Sequence, residues 1–179
     1  LAILPLFWGE PLAFLPMHIV FLELFCDPAA VIGFEREIAR RNLMTEPPRP
    51  ANEPLINFKI LYKVLLQGFG MTALSFGFYY YYVINLNQLE FGRTMAFASL
   101  IISQTLLVLI TREWQQIKSN WLLLSISSIT IFILYLILTI PAWRNAFHLV
   151  EIDHQHTIQL ISFSLLSVLL IKILTRLKK

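Results

Sequence analysis

Five stretches of this chain carry few charges and run long enough to cross a bilayer: residues 12–34, 60–84, 94–110, 121–140 and 157–174. A helix needs about 20 mostly apolar residues to span a hydrocarbon layer roughly 30 Å thick. Polar connections at 35–59, 85–93, 111–120 and 141–156 separate the stretches. The first connection is long and proline-rich; the others are short, which makes neighbouring helices antiparallel. Residues 1–8 form an apolar stub too short to span. The stub is expected to be the end of a helix that begins upstream, with 1–11 holding that end and an outer loop. The expected fold is therefore all-α: a polytopic membrane helix bundle of five full transmembrane helices plus an N-terminal helix stub. Residues 1–179 form one transmembrane domain, taken as the C-terminal portion of a longer polypeptide.

Composition supports the membrane reading. The chain is 57% hydrophobic and 14% charged, with a mean hydropathy of +0.67, whereas soluble domains carry about 25% charged residues. The lipid bilayer is thus the first partner. The single cysteine, Cys26, excludes a disulfide framework within the chain and supplies no spaced metal motif. The net charge of +3 is no nucleic-acid signal, because the basic residues flank apolar spans.

The basic residues set the orientation. All of them except Arg93 and Arg144 fall in 35–63, in 111–120 or in the tail from Lys172 onward. These three regions share one side if the helices alternate. Lys and Arg concentrate on the cytoplasmic side, so the 35–59 loop and the C-terminus are expected in the cytoplasm. Tyr79 to Tyr82, Trp114, Trp121 and Trp143 stand near span ends, as interfacial anchors do.

One local anomaly stands out. Glu23 and Asp27 lie inside the first span, and an acidic residue at a helix centre costs about 2.5–3.5 kcal/mol to insert. Four residues apart, they share one helix face. Pro28 has no N–H and cannot bond the carbonyl of Leu24. Two carboxylates and the freed Leu24 backbone carbonyl make a candidate oxygen cage for a hard cation. Structural glue by protonated acids is the competing reading.

Cys26 is a soft ligand or small filler beside that pair. Gln104, with Ser103 next to it, sits within the third span, where its amide oxygen completes a cation site or bonds a neighbouring helix. His18 points away from the acidic face and suits a packing role. Gly68, Gly70 and Gly77 with Ser75, and Ser125, Ser127, Ser128 and Thr130, read as close-packing faces. Glu151, Asp153, His154 and His156 cluster near one another without a firm metal template and read as a solvated loop. The chain has no Walker A loop, nucleophile elbow or zinc-protease motif.

The run Pro16-Met-His-Ile-Val-Phe-Leu-Glu-Leu-Phe-Cys-Asp27, followed by Pro28-Ala-Ala-Val-Ile-Gly33-Phe-Glu, resembles the sixth membrane helix of cation-translocating P-type ATPases. Leu43-Met-Thr-Glu-Pro-Pro-Arg-Pro-Ala-Asn-Glu-Pro-Leu-Ile56 is similar to that family's cytoplasmic loop, and Gly92-Arg-Thr-Met-Ala-Phe97 to the start of its eighth helix. The resemblance covers nearly the whole chain in order, and makes its spans the sixth to tenth helices. It implies that the Asn, Thr and Asp ligands of calcium pumps fall on Glu23, Cys26 and Asp27, and that a ligand acid of the eighth helix falls on Gln104. Asp27 matches; Glu23, Cys26 and Gln104 differ, and Pro28 replaces a glycine, as in a bacterial branch of the family. The bacterial cytoplasmic membrane is the implied location.

The resemblance also implies a pump in which ATP forms an aspartyl-phosphate in a cytoplasmic domain. ATP and Mg would belong to the full-length protein only, and the remaining domains of the same polypeptide would be partners. The transported cation is calcium or another hard cation. This sequence holds no Asp-Lys-Thr-Gly-Thr motif and no nucleotide domain, so no ATP hydrolysis is expected of it alone and no residue in it is assigned as catalytic. The rival readings are a small stand-alone ion channel or proton-coupled carrier lined by the same acids, and a structural subunit.

Overall fold

A computed structural model describes residues 2–27, 31, 35, 57–111 and 120–177. The proline-rich loop, its Pro-Pro-Arg motif, Pro28, Trp114 and the last two residues lie outside the described residues.

All regular structure among the described residues is helical. The stub is one 3-10 turn, Leu4–Trp8, rather than an α-helical end. Pro5 opens the turn, and Gly9 closes it in a left-handed conformation at φ 73, which a residue without Cβ adopts freely. Helix α1, Pro16–Phe21, continues as a π-turn at Leu22–Cys26. It starts four residues later than the apolar pattern, because Leu15 is extended and Pro16 takes the first helical turn, where a missing N–H costs nothing.

Helix α2, Phe58–Tyr80, also ends in a π-turn, Tyr81–Asn85. Helix α3, Leu89–Ile110, begins five residues before the apolar stretch. Glu90 in its first turn suits the positive end of the helix dipole. Helix α4, Trp121–Thr139, is capped by the Asn120 side chain, which accepts from Leu123 N–H. A short α5, Pro141–Ala146, breaks the last connection, and α6 runs His154–Leu177. Among the described residues, four helical segments are long and apolar enough to cross a membrane: Phe58–Asn85, Leu89–Ile110, Trp121–Thr139 and His154–Thr175. The fifth expected span appears as the shorter apolar helix Pro16–Cys26, with half of its remainder outside the described residues.

α3 is the centre of the bundle, packed on α2, α6 and α4. Its small and aromatic stretch Ala96, Phe97, Ala98 and Ser99 is buried all round the helix. Ser75 Oγ of α2 donates to the Ala96 carbonyl at 2.7 Å, a bond between helices that only close backbone approach allows. At Gly92 a Cβ would stand 2.7 Å from Val83, so the α2–α3 corner requires glycine.

The small-residue face expected on α2 is a packing face at only part of its length. Gly70 meets Ile171 of α6, but Gly68 and Gly77 have open space where a Cβ would stand. Trp121 and Trp143 are exposed, as belt residues are.

Candidate cation site

The acid pair lies on the π-turn. A π-turn closes one residue later than an α-turn. Accordingly Asp27 N–H donates to Leu22 O, not to Glu23 O. The next residue, Pro28, has no N–H to offer. The Glu23 carbonyl has therefore lost its ordinary backbone donor, as the Leu24 carbonyl has through Pro28. Two consecutive carbonyls beside two carboxylates are free of their usual helical bonds, where the sequence pattern had suggested only the one at Leu24. π-turns of this kind concentrate at functional sites.

Glu23 and Asp27 are exposed on the surface of the described bundle, Gln104 is half-buried and Cys26 is buried. The Leu24 side chain is 72% exposed and turned away from the core. Gln104 of α3 donates from Nε2 to Asp27 Oδ1 at 3.2 Å, joining two residues 77 apart in sequence. This leaves the Gln104 amide oxygen and the second Asp27 oxygen as acceptors. Glu23 makes no hydrogen bond or ion pair among the described residues. No group of three or more His, Cys, Asp or Glu side chains there is placed to hold a metal ion. Glu23, Asp27 and Gln104 thus offer a one-sided set of oxygens. The same holds for Glu151, Asp153, His154 and His156, where Glu151 instead pairs with Arg144 at 2.9 Å.

What fixes this helix lies at its other end. His18 is fully buried. Its Nδ1 accepts from Leu15 N–H at 3.3 Å, so its Nε2 carries the proton and donates to the Phe147 carbonyl at 2.7 Å. The ring stacks on Phe97 at 4.6 Å. Arg93 Nε donates to Leu12 O at 2.9 Å, and the Tyr79 hydroxyl donates to Pro11 O. Three elements hold residues 11–18 from three sides. The sequence showed His18 as a packing residue but could not show the carbonyls it and its neighbours reach.

His18→Leu removes one donor and one acceptor from a closed site. A loss of about 2 kcal/mol is expected, because Phe147 O and Leu15 N–H are left unpaired. The measurement is thermal unfolding of the intact protein in detergent. His18→Gln, which donates and accepts, should recover part of the loss. Equal stability of His18→Leu and the wild type would remove the clamp.

Residues 11–177 match the family model described as cation transporting ATPase, C-terminus. The calcium-transporting ATPase of Bacillus subtilis is 27% identical over 150 residues, covering 79% of this chain and 17% of the relative. The cation-transporting ATPase pma1 of Synechocystis sp. is 26% identical over 98 residues, covering 55% of this chain and 11% of the relative. The chain spans about a sixth or less of the length of these curated relatives.

Proposed function

The chain belongs to the cation-transporting ATPases, matching their C-terminal membrane region, and on that premise we propose that it supplies part of the intramembrane ion site of an ATP-driven cation pump. The observation that carries the reading is the Gln104–Asp27 bond beside a π-turn with two released carbonyls. Asp27 and Glu23 are direct cation ligands. The Glu23 and Leu24 carbonyls add neutral oxygens. Gln104 orients Asp27 and turns its own Oε1 to the ion, while Cys26 fills space behind the pair.

Charge supports a divalent ion. In a medium of low dielectric an unbalanced charge is expensive, and two ionised carboxylates neutralise one divalent cation. Oxygen donors alone favour a hard ion such as calcium. The donor set is one-sided, so further ligands come from helices beyond this region. ATP, Mg and the aspartyl-phosphate belong to the remaining domains of the polypeptide. The concentration of Lys and Arg supports a cytoplasmic side for residues 35–59 and the C-terminus. The α1 helix then runs from the clamped outer end to a loop that faces the phosphorylation domain, in a bacterial cytoplasmic membrane.

The test is ATP-driven cation accumulation by the full-length protein in sealed vesicles. Uptake of a hard cation that needs ATP is the expected result. Passive ion flux without ATP dependence would instead establish a channel or carrier.

A further inference from the structure

Behind the acid pair, α1's π-turn, α3 and α4 line a half-open pocket of about 30 Å³ bordered by Cys26, Gln104, Thr105, Ser127 and Thr130 among apolar neighbours. One water needs about 10–15 Å³ of such space and two to four polar partners, so size and lining both suit one or two waters. The lining's hydrogen-bonding inventory decides what fits. Thr105 Oγ1 donates to Ile101 O at 2.8 Å and Thr130 Oγ1 to Ile126 O at 3.0 Å. Their protons are used and they offer lone pairs only. Ser127 is 8% exposed, lines the pocket, and makes no hydrogen bond among the described residues. Its Oγ opens onto the pocket and is not sealed without a partner as the Ser103 and Ser164 hydroxyls are. Gln104 Nε2 is engaged by Asp27, which leaves its Oε1 and second N–H. Free donors and free acceptors are therefore mixed around the pocket, and none of its lining groups carries a charge. A cation asks for acceptors and negative charge; water asks for both donors and acceptors.

We infer that this pocket binds an ordered water that links Ser127 of α4 to Gln104, and through Gln104 to Asp27. Ser127 is then a positioning residue. Its hydroxyl holds the water, the water holds the Gln104 amide, and the amide holds Asp27 in its ligand orientation. The inference rests on the reading of Asp27 as a cation ligand. It extends that site to α4, which contributes no acid and no expected ligand.

The experiment uses the intact protein and the cation found to stimulate its ATPase. Ser127→Ala should raise the half-saturating cation concentration by about 3–10-fold, the weight of one net hydrogen bond. Turnover at saturating cation should stay within about twofold, because only ion binding is altered. Ser127→Thr, which keeps the hydroxyl, should restore the affinity. Ser127→Ala combined with Gln104→Leu should bind no worse than Gln104→Leu alone, since residues on one hydrogen-bonded chain are not additive. Unchanged affinity in Ser127→Ala, or effects that multiply in the double variant, would overturn the inference. A high-resolution structure of the intact wild type gives an independent reading: a water peak within hydrogen-bond reach of Ser127 Oγ and Gln104 is expected, and an empty pocket rejects it. Asp27→Asn reports on the site reading separately. Lost ion stimulation there with an unaffected Ser127→Ala sinks the water and keeps the site. Retained stimulation with a filled pocket does the reverse.

Discussion

Asp27→Asn in the intact protein is expected to weaken cation activation of ATP hydrolysis by about 100-fold. Asn keeps the shape and one oxygen but removes the negative charge, and hydrogen bonds or contacts to charged groups are worth about 1.5–3 kcal/mol each. At 1.4 kcal/mol per tenfold, the upper part of that range gives two decades. The loss is amplified by position. Asp27 accepts from Gln104 Nε2 at 3.2 Å, so Asn in its place spends its one oxygen on that donor and turns its NH2 group toward the ion. Glu23→Gln should cost less, about tenfold, because Glu23 has no bonded neighbour among the described residues to misdirect it. The double variant should show no ion stimulation. Cation titrations of ATPase activity on the three variants measure all of this. If both single variants titrate like the wild type, the acids are structural.

Phe97→Ala is expected to be the most destabilising single change in the described bundle. Phe97 is fully buried on α3. It stacks on His18 at 4.6 Å and meets Phe21 at 5.8 Å, Phe147 at 6.1 Å and Phe14 at 6.4 Å. Removing the ring leaves a cavity at the junction of α1, α3 and the 147–153 segment. Phe→Ala in a protein core costs about 3–5 kcal/mol. In a bilayer the surroundings of a separated helix are already apolar, so the transfer part shrinks and the lost packing remains. An estimate near the low end, about 3 kcal/mol, follows. The same cavity loosens His18 and so the clamped end of the acid-bearing helix. Reduced thermal stability should therefore appear together with a broadened or weakened cation response. Phe97→Leu, which keeps most of the volume, should cost about half as much. Stability equal to wild type in Phe97→Ala would show that this aromatic junction does not hold the helix.

The spans were legible because hydropathy in a membrane protein is a one-dimensional signal, and the four long helices follow it closely. Helix starts were less so. α3 begins at Leu89, where polar Glu90 interrupts the apolar run yet serves the first turn, and Arg93 one turn on reaches the Leu12 carbonyl. α1 begins at Pro16, because Leu15 is extended and the Pro11 and Leu12 carbonyls before it are bonded by Tyr79 and Arg93 instead of a helical turn. The acid pair was legible as an energetic anomaly, and Pro28 announced a freed carbonyl. The π-turn that adds the Glu23 carbonyl was not legible, since it depends on which i−n acceptor Asp27 N–H selects in three dimensions. Ser127 looked like its neighbours Ser125 and Ser128. Only the rotation of α4 turns Ser127 inward, while Ser125 bonds back to Trp121 O and Ser128 faces out. The glycines of α2 show the same limit: Gly70 packs and Gly68 does not, although the sequence presents them alike.

On the proposed function, Glu23 and Asp27 bind the ion that drives the ATPase. The most direct measurement is ATP hydrolysis by the full-length protein against calcium, manganese, magnesium, sodium and potassium in turn, for wild type and the Glu23→Gln, Asp27→Asn double variant. Stimulation of the wild type by one hard cation, above the Mg that ATP itself requires, is expected, and none in the double variant. Equal stimulation of both proteins by the same cation would contradict it.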